Sequence, residues 1–465
     1  MRRGLSCDGR DLSAGEPKTM DVAVRRLNNV AISSQKDQAS SPHPTVLIAT
    51  TSRWYPTVRL TMALAGYGCE VGMLCPSGHP ITKTRAAKKI YLYNGLVPLH
   101  SFAAAIAGAQ PDLVIPADDL AVRQLHRLYE LESKNGRTES LICQLIERSL
   151  GAAESFPVAY ARTAFMKMAE EEVIRIPKTQ VIENLIDLKD WNIRNGFPAV
   201  LKADGTSGGY GVRIANTMEE AERAFRFLQA PPRLLRAAKR ALLDRDTTLI
   251  WPALCRRRFV VNAQAFVDGK EATTAVACWK GKLLAALHFG VINKRSSSGP
   301  ATVVRRIENA EMSAAAEKMA RRLNLSGVHG FDFMLEEQTG NAYLIELNPR
   351  ATQVCHLALG PERDIPAALY AVLSGKDAQP APIVTEKEII ALFPQEWTRD
   401  SQSEFLRSAY HDVPWEEPEL IRDCVNSRRK QSSWYSLTGK EQTSSVIRSS
   451  KPAAAPAENH AAGLD

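Results

Sequence analysis

Polar residues dominate the first 43 positions, without an apolar period of either strand or helix, and this stretch reads as a disordered arm. The pattern changes at Thr45. Thr45-Val-Leu-Ile-Ala-Thr50 is a short unbroken apolar run, the signature of a strand buried on both faces of a parallel sheet. Apolar positions at Val58, Leu60, Met62, Leu64 and Ala65 predict a helix closed by Gly66 and Gly68. Glu70–Leu74 reads as the next strand, Asp112–Pro116 as another, and Leu120 to Leu131 as a helix. Strands alternating with helices predict a small doubly wound α/β domain over 44–150.

The second region, 151–375, has a different rhythm. A helical stretch around Arg162–Val173 opens it, and strand-like runs follow at Ala199–Ala203, Phe259–Val267, Glu271–Trp279 and Lys282–Ile292. A helix over Ala310–Leu323 precedes a final hairpin. Mixed strands and helices of this kind predict an α+β domain of two lobes. Residues 376–424 read as a partly ordered appendage with apolar Ala391–Pro394, Trp397 and Trp415, and 425–465 as a disordered tail rich in Ser, Arg, Ala and Pro.

Composition narrows the class. Hydrophobic residues make up 45% and charged residues 24% of the 465, the balance of a soluble globular protein. No run reaches the ~18 apolar residues of a membrane helix, and no apolar stretch follows Met1-Arg2-Arg3 as in a secretory signal. The expectation is a cytoplasmic protein with no membrane partner. Eight cysteines without a CxxC pair fit reduced thiols better than disulfides or zinc. Of the net charge of +8, the arm carries +2 and the tail +3, leaving +3 on the middle, so bulk charge gives no support for nucleic-acid binding. Arg256-Arg257-Arg258 and Pro232–Arg245 read as solvated faces.

Glycines demand closer reading. Gly66-Tyr-Gly68-Cys-Glu-Val-Gly72 imitates a dinucleotide fingerprint, but it has one residue too many and lies between helix and strand, the reverse of what that motif needs. A nicotinamide oxidoreductase is disfavoured accordingly. Gly205, Gly208, Gly209 and Gly211 are a better candidate. They crowd a strand-to-strand loop whose exposed N–H groups can cradle an anion, with Lys202 on the strand leading in and Thr206, Ser207 and Tyr210 between. No GK[ST] closes the loop, so it is not a Walker motif, and alone it reads equally well as a mobile turn.

The hairpin Gly330–Arg350 carries the sharpest chemistry. Apolar-rich runs flank a polar Glu337–Asn341 turn, and a turn centred on Thr339 sets Asp332 directly opposite Glu346. Asn348, two residues on, projects to the same face. Opposed acids with Cβ atoms roughly 5 Å apart repel, and a cation between them converts repulsion to ligation. Two carboxylates and an amide oxygen suit Mg²⁺ or Mn²⁺; a plain hairpin with solvent-facing acids is the alternative. Arg350 beyond Pro349 can hold a phosphate bidentately. In Gln264-Ala-Phe-Val-Asp-Gly-Lys-Glu271 a strand turns at Asp268-Gly269; Gln264 can meet an adenine amine and Glu271 ribose hydroxyls, though the segment alone is an ordinary hairpin.

Together these parts resemble the ATP-grasp superfamily, in its carbamoyl-phosphate-synthase-like and biotin-carboxylase-like branch, over residues 45–375. The order agrees, and so does the spacing, with Gln264 and Glu271 seven apart and Asp332 and Glu346 fourteen apart. The resemblance implies an N-terminal doubly wound pre-ATP-grasp domain followed by a two-lobed ATP-grasp domain. It implies Asp332, Glu346 and Asn348 as magnesium ligands, Lys202 near the inner phosphates, and Gly205 to Gly211 (Gly205, Ser207, Gly208, Gly209, Gly211) as a phosphate flap. Gln264, Ala265 and Val267 match adenine contacts, Glu271 the ribose contact, and Arg350 the arginine near the γ-phosphate. Arg162 falls where a first basic residue precedes the domain, with Lys167 as the alternative; the Asp usual before it is replaced by Tyr160-Ala161. The implied activity is an ADP-forming carboxylate–amine ligase using ATP and Mg²⁺ on small-molecule acid and amine substrates. Arg295 or Arg305, in the polar loop after residue 293, is the candidate clamp for the acid or the γ-phosphate. A non-catalytic ATP-binding module is the competing reading.

Overall fold

The computed structural model describes residues 43–204, 211–230, 258–296, 299–378 and 381–426. The expectations for the N-terminal arm, the C-terminal tail beyond 426, Pro232–Arg245, Arg256 and Arg257, and Gly205, Ser207, Gly208 and Gly209 lie outside the described residues. Every named element falls in the unit that ends at Ile421.

The first layer is built from β1 (Thr45–Ala49), α1 (Pro56–Gly66), β2 (Glu70–Cys75), β3 (Lys89–Leu92), α2 (Pro98–Ala109), β4 (Leu113–Pro116), α3 (Asp119–Lys134) and α4 (Leu141–Leu150). Its strands are parallel in the order β3-β2-β1-β4. Val46 to Ala49 are fully buried, as an all-apolar strand covered on both sides must be. Neighbours on β2 show the two covers: Met73 meets Thr61 of α1, while Leu74 joins the cluster around Phe102 of α2 and Ile146 of α4. Pro56 and Pro98 start their helices, where a missing N–H costs nothing. Gly66 and Gly68 do end a helix ahead of a strand, with Gly68 at φ +95°, a region costly for other residues.

The order reverses between β1 and β4, and in open sheets such a switch point opens a crevice at the carboxyl ends of the strands. Thr50–Ser52 and Asp118–Asp119 occupy those ends. Asp118 caps α3 by accepting from the Ala121 N–H at 2.8 Å, and it also accepts from the Thr51 N–H and the Thr50 and Thr51 hydroxyls.

The helix α5 (Arg162–Glu171) packs Phe165, Met166 and Ala169 into the core of the largest sheet, and the second layer that follows holds β5 (Thr179–Ile182), α6 (Leu185–Asn195), β6 (Ala199–Ala203), β7 (Val212–Ala215), α7 (Met218–Gln229) and β8 (Val261–Ala265). Its strands form an antiparallel sheet in the order β5-β8-β6-β7. Leu201, Ala263 and their alternates pack on Trp191 of α6 and Phe225 of α7. Strand alternation therefore turns Lys202, Asn262 and Gln264 to the opposite face.

The largest sheet runs through β9 (Gly269–Trp279), β10 (Lys282–Lys294), β11 (Ala301–Arg306), β12 (Gly327–Glu336) and β13 (Ala342–Asn348), with α8 (Ala310–Arg322) between β11 and β12. After α9 (Ile365–Ser374), β14 (Ile389–Ala391), α10 (Gln395–Arg399), α11 (Phe405–Ser408) and β15 (Tyr410–His411) follow. The strand order is β13-β12-β9-β10-β11-β14-β15, so the segment expected as an appendage extends this sheet through the pairing of Val303 with Ala391. Met312 and Ala316 of α8 pack against Ala272, Phe331, Phe333 and Leu347, which leaves Thr273, Asp332 and Glu346 on the other face. At Gly269, where β9 begins, an added Cβ would stand 2.1 Å from the Leu335 carbonyl oxygen, so that close approach requires glycine.

Candidate functional site

Asp332 pairs directly with Glu346, and Gly330 with Asn348, the register the symmetric turn predicts. Beyond Asp332 the pairing slips, with Phe333 opposite Leu344, a bulge at Ile345 that the symmetric turn does not predict. Asn348 Nδ2 donates to Asp332 Oδ2 at 2.8 Å. Burial, reinforced by Glu346 across the strand, lifts the Asp332 carboxyl to about 6, against hydrogen bonds from Asn348 and Thr273 and the charge of Arg350.

Two cations face these acids, Arg162 from α5 and Lys202 from the smaller sheet. Arg162, the first residue of α5, donates from Nη1 to the Ala203 carbonyl at 2.6 Å and from Nη2 to Glu346 Oε1 at 2.8 Å. One guanidinium thus ties β6 to β13. Of the two alternatives for the first basic residue, Arg162 is the one at the carboxylates, while Lys167 is exposed further along α5. Lys202 is 6% exposed. Burial lowers its ammonium to about 8, opposed chiefly by Glu346, while Arg162 pushes it down and Asp332 and Glu271 support it. Asp204 and Asn262 complete this wall: Asn262 Nδ2 donates to Asp204 Oδ1 at 2.7 Å, and the Thr163 hydroxyl bonds Asn262.

Glu271 lies on β9, two residues from Thr273 and hence on the carboxylate face, and accepts from Lys294 Nζ at 2.6 Å. Gln264 stands on the Lys202 face of the smaller sheet, 4% exposed, and donates to the Thr179 hydroxyl at 3.1 Å. The Ala265 N–H is used within that layer, donating to the Lys178 carbonyl at 2.9 Å. Val267 follows the end of β8, half-buried, in the short passage from one sheet to the other. Gly211 closes the glycine loop with its carbonyl accepting from the Ala203 N–H at 2.9 Å.

Arg350 sits at the far side of the hairpin. Its Nε donates to Asp119 Oδ1 at 2.9 Å and its Nη2 to Asn348 Oδ1 at 3.3 Å. Burial works against its charge, but Asp119 and then Asp332 and Asp118 more than offset this and hold the proton above the ordinary arginine range. Asp119 was missed in the sequence. The available signal was Asp118-Asp119 directly after a buried parallel strand, where switch-point residues stand.

Arg305 and Arg295 are not brought to the carboxylates. Arg305 lies on the row Phe333–Ala272–Gly290–Arg305, the face opposite to Asp332 and Thr273, three strands from the hairpin and exposed. Nearness in sequence misleads here, because strand parity sets the face. Arg295 is exposed in the turn after β10. His288 and His356 are structural: His288 is bonded by Thr274 and Ser313, and His356 by Asp412, which also takes Arg59 at 2.6 Å.

Lys202 and the Ala203 carbonyl on one sheet, joined through Arg162 to opposed acids on a hairpin of another, are the geometry against which the comparisons with known proteins are set. Residues 161–358 match the family model described as carbamoyl-phosphate synthase L chain, ATP binding domain, and this part of the chain belongs to the ATP-grasp superfamily. The chain is 23% identical over 250 residues to the carbamoyl phosphate synthase large chain of Thermotoga petrophila, covering 54% of this chain and 21% of that one. It is 31% identical over 124 residues to the phosphoribosylamine–glycine ligase of Ralstonia nicotianae, covering 27% and 24%. The chain thus matches less than a quarter of the length of these relatives. Among solved structures, the biotin carboxylase domain of the Hydrogenobacter thermophilus 2-oxoglutarate carboxylase, in complex with MgADP, ADP and bicarbonate, is similar with a TM-score of 0.51 at 15% identity, covering 72% of this chain and 70% of that chain. That likeness is one of fold. Among the described residues, no helix is long and apolar enough to cross a membrane.

Proposed function

We propose that this chain is a magnesium- and ATP-dependent ligase that activates a carboxylate as an acyl phosphate and joins it to an amine or similar nucleophile. The observation that carries the reading is the direct opposition of Asp332 and Glu346 within reach of Arg162, Lys202 and Arg350. Residues 44–150 serve as the pre-ATP-grasp domain and 151–375 as the ATP-grasp domain in this reading.

The donor set fits a hard divalent cation: two opposed carboxylates, with the Asn348 amide beside them, are oxygen ligands of the kind Mg²⁺ or Mn²⁺ takes. When bound, the metal offsets charge that develops on the phosphate oxygens. The protein's own residues do the rest by position. Lys202, held in a buried site, is a point charge for the inner phosphates, and Arg162 spans the two sheets where the triphosphate lies. Arg350 faces the terminal phosphate, and Gln264 and Glu271 serve the nucleoside. An acid's carboxylate oxygen attacks the γ-phosphorus while the bond to the β-γ bridging oxygen breaks, giving acyl phosphate and ADP. An amine then displaces phosphate and forms the amide. No general base is needed for the first step, because the acid is already ionised.

The test is ADP release from Mg–ATP across a panel of acid and amine pairs. Release that depends on one acid is expected. Tight nucleotide binding without release by any pair would favour a regulatory nucleotide-binding module instead, and failure to bind nucleotide would refute both.

A further inference from the structure

The arginine proposed to face the terminal phosphate comes from the hairpin, yet its strongest partner belongs to the parallel sheet. Asp119 lies 231 residues earlier, at the first position of α3, and takes the Arg350 Nε–H at 2.9 Å. That anchor is stiff. Its neighbour Asp118 is bound by Thr50, Thr51 and the Ala121 N–H, so the backbone carrying Asp119 is fixed to the end of β1. A second tie lies alongside, where the Ala351 N–H donates to the Pro116 carbonyl at 2.9 Å. An arginine held at Nε is fixed in plane, and its two terminal nitrogens remain on the other edge of the guanidinium. Here those nitrogens make long contacts, 3.3 Å to Asn348 Oδ1 and 3.4 Å to the Ala351 carbonyl, which a phosphate oxygen outcompetes.

We infer that Asp119 is a positioning residue: by gripping Arg350 at Nε, it aims the terminal nitrogens at the outermost phosphate and ties the switch-point end of the parallel sheet to the metal hairpin. The inference rests on the function proposed above. It adds that recognition of the third phosphate, as distinct from the first two, depends on an acid outside the ATP-grasp segment.

The experiment is calorimetric titration of the full chain with Mg–ADP and with Mg–AMP-PNP, an unreactive triphosphate. In Asp119→Ala the preference for triphosphate over diphosphate falls about tenfold, the value of one well-aimed charge-assisted hydrogen bond, while Mg–ADP affinity stays within about twofold. Asp119→Asn keeps an acceptor for the Nε–H and retains most of the preference. The double variant Asp119→Ala/Arg350→Ala matches Arg350→Ala alone, because the acid acts through the arginine. An unchanged preference in Asp119→Ala overturns the inference while leaving the ligase reading intact. So does an equal loss in the Ala and Asn variants with a shared drop in melting temperature, which marks a merely structural acid. Wild-type protein that binds neither nucleotide overturns the ligase reading itself.

Discussion

Replacing Asp332 with Asn tests the electrostatics of the site most directly, because stability and function should move in opposite directions. The carboxyl is lifted from its ordinary 3.8 to about 6, first by burial and then by Glu346. Each tenfold change in proton affinity is worth about 1.4 kcal/mol, so keeping this group ionised at neutral pH costs the folded protein at most about 3 kcal/mol. Asn is neutral and nearly the same shape, and its Oδ1 can still accept from Asn348 Nδ2, now at 2.8 Å from Asp332. Asp332→Asn should therefore raise the melting temperature by several degrees at pH 7.5.

The sign with pH follows. The folded pKa exceeds the unfolded one, so the penalty is fully present above about 6 and vanishes as pH falls to the ordinary value near 3.8. The gain from Asn should shrink steadily between pH 6.5 and 4.5 in thermal unfolding followed by fluorescence. The same variant should lose most of its magnesium-dependent nucleotide affinity. A variant that is no more stable at pH 7.5, or whose advantage is the same at pH 4.5, would refute the claim that the Asp332 carboxylate is held at a cost by its burial and by Glu346 opposite.

Other expectations are shorter. Arg162→Ala should weaken Mg–ADP binding about tenfold or more by calorimetry, through loss of charge-assisted bonds, while Lys167→Ala stays within about twofold. Nucleotide affinity should fall as pH rises through about 8, where Lys202 loses its proton, and Lys202→Arg should abolish that decline, since arginine stays charged. Arg305→Ala should change nucleotide and acid affinity by less than about twofold in steady-state kinetics, because its side chain belongs to the face away from Asp332. Val173 is 86% exposed at φ +56°, so Val173→Gly should stabilise the protein by about 1 kcal/mol in denaturant melts without altering nucleotide binding.

What the sequence made legible was local. The hairpin register followed from one turn, and β6 matched its apolar run residue for residue over Ala199–Ala203. The helix expected over Ala310–Leu323 ends one residue early, at Arg322. The edge strands β3, β5 and β15, and the three-residue β14 beside β15, escaped notice, because such short strands carry little alternation to read. Arg162 and Lys167 could not be separated by sequence because both lie on one short helix, and only the facing Glu346 distinguishes them. For Asp119 only its place at the strand end was legible; its pairing with Arg350 was not, because the two lie 231 residues apart and long-range pairs leave no periodic trace.

The surroundings of Asp332 explain why its carboxyl is pushed up. Glu346 is matched by Arg162, Glu271 by Lys294 and Asp119 by Arg350, each through a direct ion pair. Asp332 instead receives an amide from Asn348, which can stabilise a carboxylate through a hydrogen bond but brings no positive charge. Burial is then only partly compensated, and the proton is held more tightly at this acid. In the function proposed above, a divalent cation would supply the missing charge at the place where it is lacking. Of the three ion pairs, Lys294–Glu271 lies within the largest sheet, while Arg162–Glu346 and Asp119–Arg350 tie the end of the hairpin to the first turns of α5 and α3.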